Sequence, residues 1–164
     1  MIRYDLPMRT KSFVIGMSVV VFTAAAVAVS AQQKPAAPAS PKVTVYKTSS
    51  CGCCKLWVDH MKASGFDVQA MDVSAADVRA VSKAAGLPED GVSCHTAKIG
   101  NYVVEGHVPA SDIQRMLKEK PAIAGIAAPG MPQGSPGMEQ GSKEPYDVVA
   151  FTKDGKMTVY AKHK

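Results

Sequence analysis

Three thiols fall within four residues in Ser49-Ser50-Cys51-Gly52-Cys53-Cys54-Lys55, directly after an apolar alternating run and before a helical pattern. A cysteine at a helix start lies beside unpaired backbone N–H groups and the positive end of the helix dipole, so its thiolate is favoured near neutral pH. Thiolates attack disulfides and bind soft metals. Cys51 and Cys54 form a C-x-x-C pair and Cys51 and Cys53 a C-x-C pair, so spacing alone allows a redox dithiol or a chelate. Cys53 weighs toward the chelate: a disulfide to its neighbour Cys54 would be strained, and a simple dithiol has no use for a third sulfur.

Two further groups carry chemistry. Ser93-Cys94-His95-Thr96 sets a thiol beside an imidazole on a loop, which is not core patterning. In Pro129-Gly130-Met131-Pro132-Gln133-Gly134-Ser135-Pro136-Gly137-Met138-Glu139 a repeated Pro-Gly-Met places Met131 and Met138 without apolar neighbours. A thioether outside a core is a soft donor suited to Cu(I), whereas Ca, Mg and Mn want oxygen. The alternative is that Met131 and Met138 plug a groove in a flexible loop. Zinc held by Cys and His fits the residue types, but not the usual two separated ligand pairs.

The elements that must position these groups are legible from periodicity. Lys42 to Lys47 reads as a first strand, delivering Cys51 at its carboxyl end. Leu56, Trp57, Met61 and Ala63 give a helix over Cys53 to Ser64, stopped by Gly65, with Trp57 either core or a lid over the cysteine turn. Phe66 to Met71 reads as a second strand. Ser74 with Asp77 caps a helix with Val78, Val81 and Ala85 on one face, ended by Gly86 and Pro88. A hairpin over Ala97 to Glu105 turns at Gly100-Asn101, and Pro109 to Glu119 forms a third helix with Ile113, Met116 and Leu117 inward. Ala127 to Pro145 is a long Gly/Pro-rich segment, and Tyr146 to Tyr160 a last hairpin, turning at Lys153-Asp154-Gly155, that extends the sheet. His60 reads as a solvated helix residue and His163 as tail.

This order predicts an α/β, thioredoxin-like three-layer fold with an additional C-terminal β-hairpin and a long Gly/Pro/Met loop. The β-helix-β opening needs a parallel pair with a right-handed crossover, which puts the cysteine turn at the ligand-binding edge of the sheet. The loop before the Ala97 hairpin lacks the cis-proline of thioredoxin-like and glutaredoxin-like proteins, so Cys94 or His95 is expected to face the Cys51–Cys54 turn instead.

Ahead of this domain, Arg3, Arg9 and Lys11 precede an uncharged Val/Ala-rich run from Ser12 to Ala31 closing in Val29-Ser30-Ala31, the anatomy of a secretory signal peptide cleaved near Ala31. The alternative is a retained anchor, since the run approaches the roughly 20 residues that span a bilayer. Residues 32–41 hold three prolines and no bulky apolar group and read as a tether, leaving 42–164 as one domain. Without the leader, sixteen basic residues face thirteen acidic ones, too small an excess to argue for nucleic acid, and no basic block is interleaved with aromatics. Four cysteines in an oxidising compartment would ordinarily be two disulfides, a reading that their crowding makes awkward.

Val45 to Val58, Ser93 to Thr96, Val104-Glu105-Gly106-His107-Val108-Pro109-Ala110 and the Pro-Gly-Met repeat, taken together and in this order, closely resemble the CopG-type periplasmic copper-resistance proteins, a metal-binding family of unsettled activity. The resemblance covers 42–164. It implies a thioredoxin-like fold whose cysteine turn holds copper, as Cu(I) and with room for a thiolate-bridged cluster of more than one ion, and a role in copper redox conversion during detoxification. Carried over, the metal-facing residues are Cys51, Cys53, Cys54 and Cys94, supported by Met131, Met138, His95 and His107. The expected function is a periplasmic copper-binding protein for copper resistance, with a periplasmic redox or copper-trafficking protein as partner and the membrane met only through an uncleaved leader. Binding is favoured over turnover; Cu(I)/Cu(II) interconversion stays open, and the alternative is a thiol-disulfide oxidoreductase using Cys51 and Cys54.

Overall fold

The computed structural model describes residues 39–164. The leader and most of the tether lie outside the described residues; within these, no helix is long and apolar enough to cross a membrane. The elements run β1 (Lys42–Lys47), α1 (Gly52–Ala63), β2 (Asp67–Asp72), α2 (Ala75–Ala84), β3 (His95–Ile99), β4 (Tyr102–Glu105), α3 (Ala110–Glu119), β5 (Gly125–Ala127), β6 (Tyr146–Phe151) and β7 (Met157–His163), with a 3-10 turn at Glu89–Gly91.

All of these strands join one mixed sheet in the order β2-β1-β3-β4-β5-β6-β7. β1 and β2 are parallel, as a β-α-β unit requires, and β3 runs antiparallel to β1 with Lys47 opposite His95. β4 pairs antiparallel with β3, and Thr96 stands opposite Glu105. Alternate strand residues feed two faces. On one, Val43, Val45, Ala97, Ile99 and Val104 bury Trp57 and Met61 of α1 and Ile113 and Met116 of α3. On the other, Val103, Ala127 and Phe151 pack with Leu87, beyond α2. Each large side chain so buried contributes about 1.5–3 kcal/mol by leaving water, and the result is the three layers that the element order predicts.

The C-terminal hairpin, β6 with β7, does extend the sheet, but through a strand that the sequence reading misses. The sequence reading assigns no element to Gly125-Ile126 and starts the Gly/Pro-rich segment at Ala127; all three residues form β5, parallel to β4. Three small or apolar residues are too few to show a period. Gly125 is required there, because a Cβ would overlap the Val103 carbonyl oxygen.

Two histidines also depart from expectation. His60 is half-buried rather than solvated, and its Nε2 accepts the Ala110 N–H at 3.1 Å. Pro109, at the N-cap of α3, offers no side-chain acceptor, so α1 supplies the cap that the local sequence lacks. His163 is no loose tail: its Nε2 lies 2.7 Å from Asp112 Oδ2, and its ring stacks on Tyr146 at 4.8 Å, tying β7 to α3.

An Nε2 that accepts from a backbone N–H must be unprotonated, and burial lowers the His60 pKa below its ordinary 6.5. The unfolded chain therefore takes the proton first, and the cap's contribution is present above pH 6.5 and lost as pH falls toward the lowered value. His60→Gln, whose amide oxygen accepts without titrating, should show a shallower loss of stability between pH 7.5 and 5 in urea unfolding than the parent chain. His60→Ala should cost about 1 kcal/mol at pH 7.5.

Candidate metal centre

Cys51 is the N-cap of α1, extended at φ −77°, and its sulfur accepts the Cys54 N–H at 3.3 Å. A cap needs a side-chain acceptor at the point where the strand ends and the helix begins, and here the acceptor is sulfur. Cys51 and Cys54 are joined as a disulfide with their Cα atoms 5.4 Å apart; Cys53 and Cys94 are free. Gly52 between them is exposed, with open space where a Cβ would be.

The β1–β3 register lands the loop before β3 beside the loop after β1. Cys94 Sγ stands 3.5 Å from Cys54 Sγ, and Cys53 Sγ is 3.6 Å from Cys51 Sγ. All four sulfurs lie within 4.8 Å of one another. A second group of three, Cys94, His95 and His107, meets the same distance, so Cys94 belongs to both. Cys94 Sγ is 3.1 Å from His107 Nε2 and 3.5 Å from His95 Nδ1.

The protonation states follow from these partners. His107 Nδ1 faces the Pro136 carbonyl at 2.8 Å; a carbonyl only accepts, so Nδ1 carries the hydrogen and the Nε2 lone pair is aimed at Cys94. Burial lowers the His107 pKa and lowers that of His95 to about 3, with the neighbouring His107 and Lys47 acting in the same direction on His95. Burial, then Cys53, pushes the Cys94 thiol up to about 12. The cluster is thus held as neutral thiol and neutral imidazoles. His95 is fully buried against Trp57, at 4.5 Å between ring centroids, and its Nε2 has no hydrogen-bond partner among the described residues. Trp57 is core rather than lid: it is fully buried and donates its indole N–H to the Val108 carbonyl at 2.9 Å.

The Pro-Gly-Met loop covers the cysteine turn through Gly137. With φ at +86°, its missing Cβ would stand 2.8 Å from the Cys53 carbonyl oxygen and 2.9 Å from the Trp57 nitrogen. Met138, next in the chain, is half-buried; Met131 is exposed and lines a cleft of about 320 Å³ together with Ser93 and Cys94. The structure therefore brings Cys51, Cys53, Cys54, Cys94, His95 and His107 together, and brings Met131 to the cleft at Cys94. The Cys51–Cys54 bond is the dithiol pairing that the C-x-x-C spacing allows, whereas one feature of the site lies outside the sequence reading: the buried Glu105 carboxyl, raised to about 7 by burial against the lowering effect of hydrogen bonds from Thr96 and Ser93. A carboxylate in the apolar run Val103-Val104-Glu105 was the available signal for it.

A family profile described as a protein of unknown function, DUF411, matches residues 92–138. Two solved structures of the copper resistance protein CopG, form 2 and form 1, are similar to this chain, each with a TM-score of 0.69. The first is 44% identical over 76% of this chain and 99% of that one, the second 43% identical over 76% and 98%. No curated protein sequence matches.

Gly137 and Gly130 both have positive φ, but nothing lies within 4 Å of a Cβ at Gly130. Gly130→Ala should cost about 1–2 kcal/mol for the left-handed backbone alone. Gly137→Ala adds overlap with the first turn of α1 and should cost about 1–3 kcal/mol more. Paired urea melts measure the difference, and equal losses would mean that the loop does not rest on the cysteine turn.

Proposed function

Since the chain belongs to the family of the copper resistance protein CopG, we propose that it is a periplasmic copper-binding protein of copper resistance, carrying Cu(I) on Cys51, Cys53, Cys54 and Cys94. The observation that supports this reading most is the convergence of four sulfurs within 4.8 Å. Thiolate is the donor that selects Cu(I) over the hard divalent ions. Three sulfurs come from one turn and one from the opposite loop, an arrangement suited to more than one ion with shared sulfurs. With the Cys51–Cys54 bond in place two thiols remain; its reduction makes all four available. A burial-raised thiol at Cys94 also means that metal must displace a proton there, so uptake should strengthen with rising pH.

In this reading His95 and His107 offer neutral imidazoles suited to Cu(II), which gives the same site a means to accommodate both oxidation states, and Met131 and Met138 act as supporting soft donors. The fold is read as thioredoxin-like, the domain as residues 42–164 on a tether of residues 32–41, exported by a leader cleaved near Ala31. The partner is a periplasmic redox or copper-trafficking protein. A second reading has its own observation in its favour: the Cys51–Cys54 disulfide at a helix N-terminus matches the oxidised form of a thiol-disulfide oxidoreductase, in whose reduced form the Cys51 thiolate attacks a substrate disulfide and Cys54 resolves the mixed disulfide, regenerating this bond.

The deciding experiment is the anaerobic copper-to-protein ratio of the fully reduced chain after Cu(I) loading and desalting. More than one copper retained per chain, falling in Cys53→Ser, supports the copper carrier. No retained copper, together with insulin reduction at rates typical of a thioredoxin, would replace it with the oxidoreductase. Met131→Leu with Met138→Leu should weaken Cu(I) affinity and leave the urea midpoint in place.

A further inference from the structure

Glu105 is fully buried on the α2 face of the sheet, yet among the described residues it is neither a ligand candidate nor part of an ion pair within 4 Å. Burying a carboxyl is costly unless its oxygens find donors. They find two, one on each side of Cys94. Oε1 accepts the Ser93 backbone N–H at 2.8 Å, and Oε2 accepts the Thr96 hydroxyl hydrogen at 2.6 Å. The second contact follows from the strand register, which sets Thr96 directly opposite Glu105. The first reaches past the end of β3 to the segment that the ladder cannot hold, because β3 begins only at His95. One carboxyl therefore spans the residues before and after the cysteine.

The residues that Glu105 contacts, and its neighbour Gly106, make further contacts around Cys94. The Thr96 hydroxyl is 3.3 Å from the Val78 carbonyl of α2, and the Ser93 hydroxyl donates to the Gly130 carbonyl at the start of the Pro-Gly-Met loop. Gly106, next to Glu105, donates its N–H to the His95 carbonyl at 2.9 Å, and a Cβ on Gly106 would stand 2.6 Å from Ser93. Ser93-Cys94-His95-Thr96 contains no proline, and the Glu105 carboxyl on the neighbouring strand contacts both ends of that segment.

We propose that Glu105 is a positioning residue that sets the Ser93-Cys94-His95 backbone, and through it the place of the Cys94 sulfur against the Cys51–Cys54 turn. Its consequence for metal rests on the copper-carrier reading, whereas its consequence for Cys94 does not. In the chain as it stands Cys53 and Cys94 are the two free thiols, so Cys53 serves as an internal reference for the accessibility of Cys94.

The test compares Glu105→Ala, Glu105→Gln and Thr96→Val with the parent chain. Iodoacetamide labelling of the two free thiols is followed by peptide mass spectrometry, and then the copper ratio of the reduced proteins is measured. Glu105→Ala should raise the Cys94-to-Cys53 labelling ratio about tenfold, the scale of losing its two hydrogen bonds with Ser93 and Thr96 together, and lower the copper retained. Glu105→Gln, whose amide oxygen accepts the Ser93 N–H and whose amide N–H donates to the Thr96 hydroxyl, should restore the parent ratio. Thr96→Val, which breaks one of the two contacts, should fall between and stands in for Glu105→Ala if that variant does not fold. A lowered melting temperature with unchanged labelling would overturn the proposal and leave Glu105 a structural residue. Glu105→Gln behaving like the alanine variant would also overturn it, because charge and not placement would then be the cause. A parent chain that retains no copper would remove the carrier reading, while the labelling series would still decide the role of Glu105.

Discussion

The pairing of β1 with β3, with Lys47 opposite His95, is the constraint on which the rest of the site depends. It turns two loops distant in sequence into neighbours: the residues after β1 carry Cys51 to Cys54, and the residue before β3 is Cys94. A slip by one residue would send His95 to the opposite face and lift its ring off Trp57. The register is held on both faces at once, by Val45 and Ala97 against α1 and by Thr96 beneath α2. The position of the fourth sulfur is thus a property of the whole sheet, whereas the other three are placed by a single helix start.

Around that junction the protein buries several titratable groups and shifts each toward its uncharged form. His95 and His107 are kept neutral by burial, Cys94 is kept as a thiol, and Glu105 is pushed toward protonation. Such a set would be unstable if its hydrogen bonds were left unmade. Most are made with backbone: His107 to Pro136, Glu105 to Ser93, Trp57 to Val108. The exception is Nε2 of His95, which has no partner among the described residues, while Nδ1 of the same ring stands 3.5 Å from Cys94 Sγ.

Much of this was legible in the sequence because local signals carried it. Ser74 with Asp77, Gly100-Asn101 and the alternation in Lys42 to Lys47 mark their elements without tertiary help, and the cysteine turn announces itself by crowding. The order of the four motifs carries the resemblance to the family without tertiary help. What escaped was decided at long range or by too few residues. β5 is three residues long; His60 caps a helix 50 positions away; His163 finds Asp112 from the far end of the chain. Glu105 looked like the end of a hairpin strand, and only its register partner Thr96 makes it a clamp. Spacing allowed both disulfide and chelate at Cys51 and Cys54, and the observed bond shows one oxidation state of a pair suited to either.

The sheet is open, with β2 and β7 as its two edges, and open edges invite strands of other molecules. β2 is largely exposed along its length and carries aspartates at both ends, Asp67 and Asp72. Asp72 also holds the Lys47 ammonium at 2.6 Å, with the lysine side chain one-tenth exposed. One carboxylate thus guards the edge against aggregation and neutralises a buried cation on the strand that ends at the cysteine turn. Colloidal behaviour and the architecture of the site are linked through Asp72, so a surface redesign for solubility that treated it as a spare charge would unpair Lys47 beside His95.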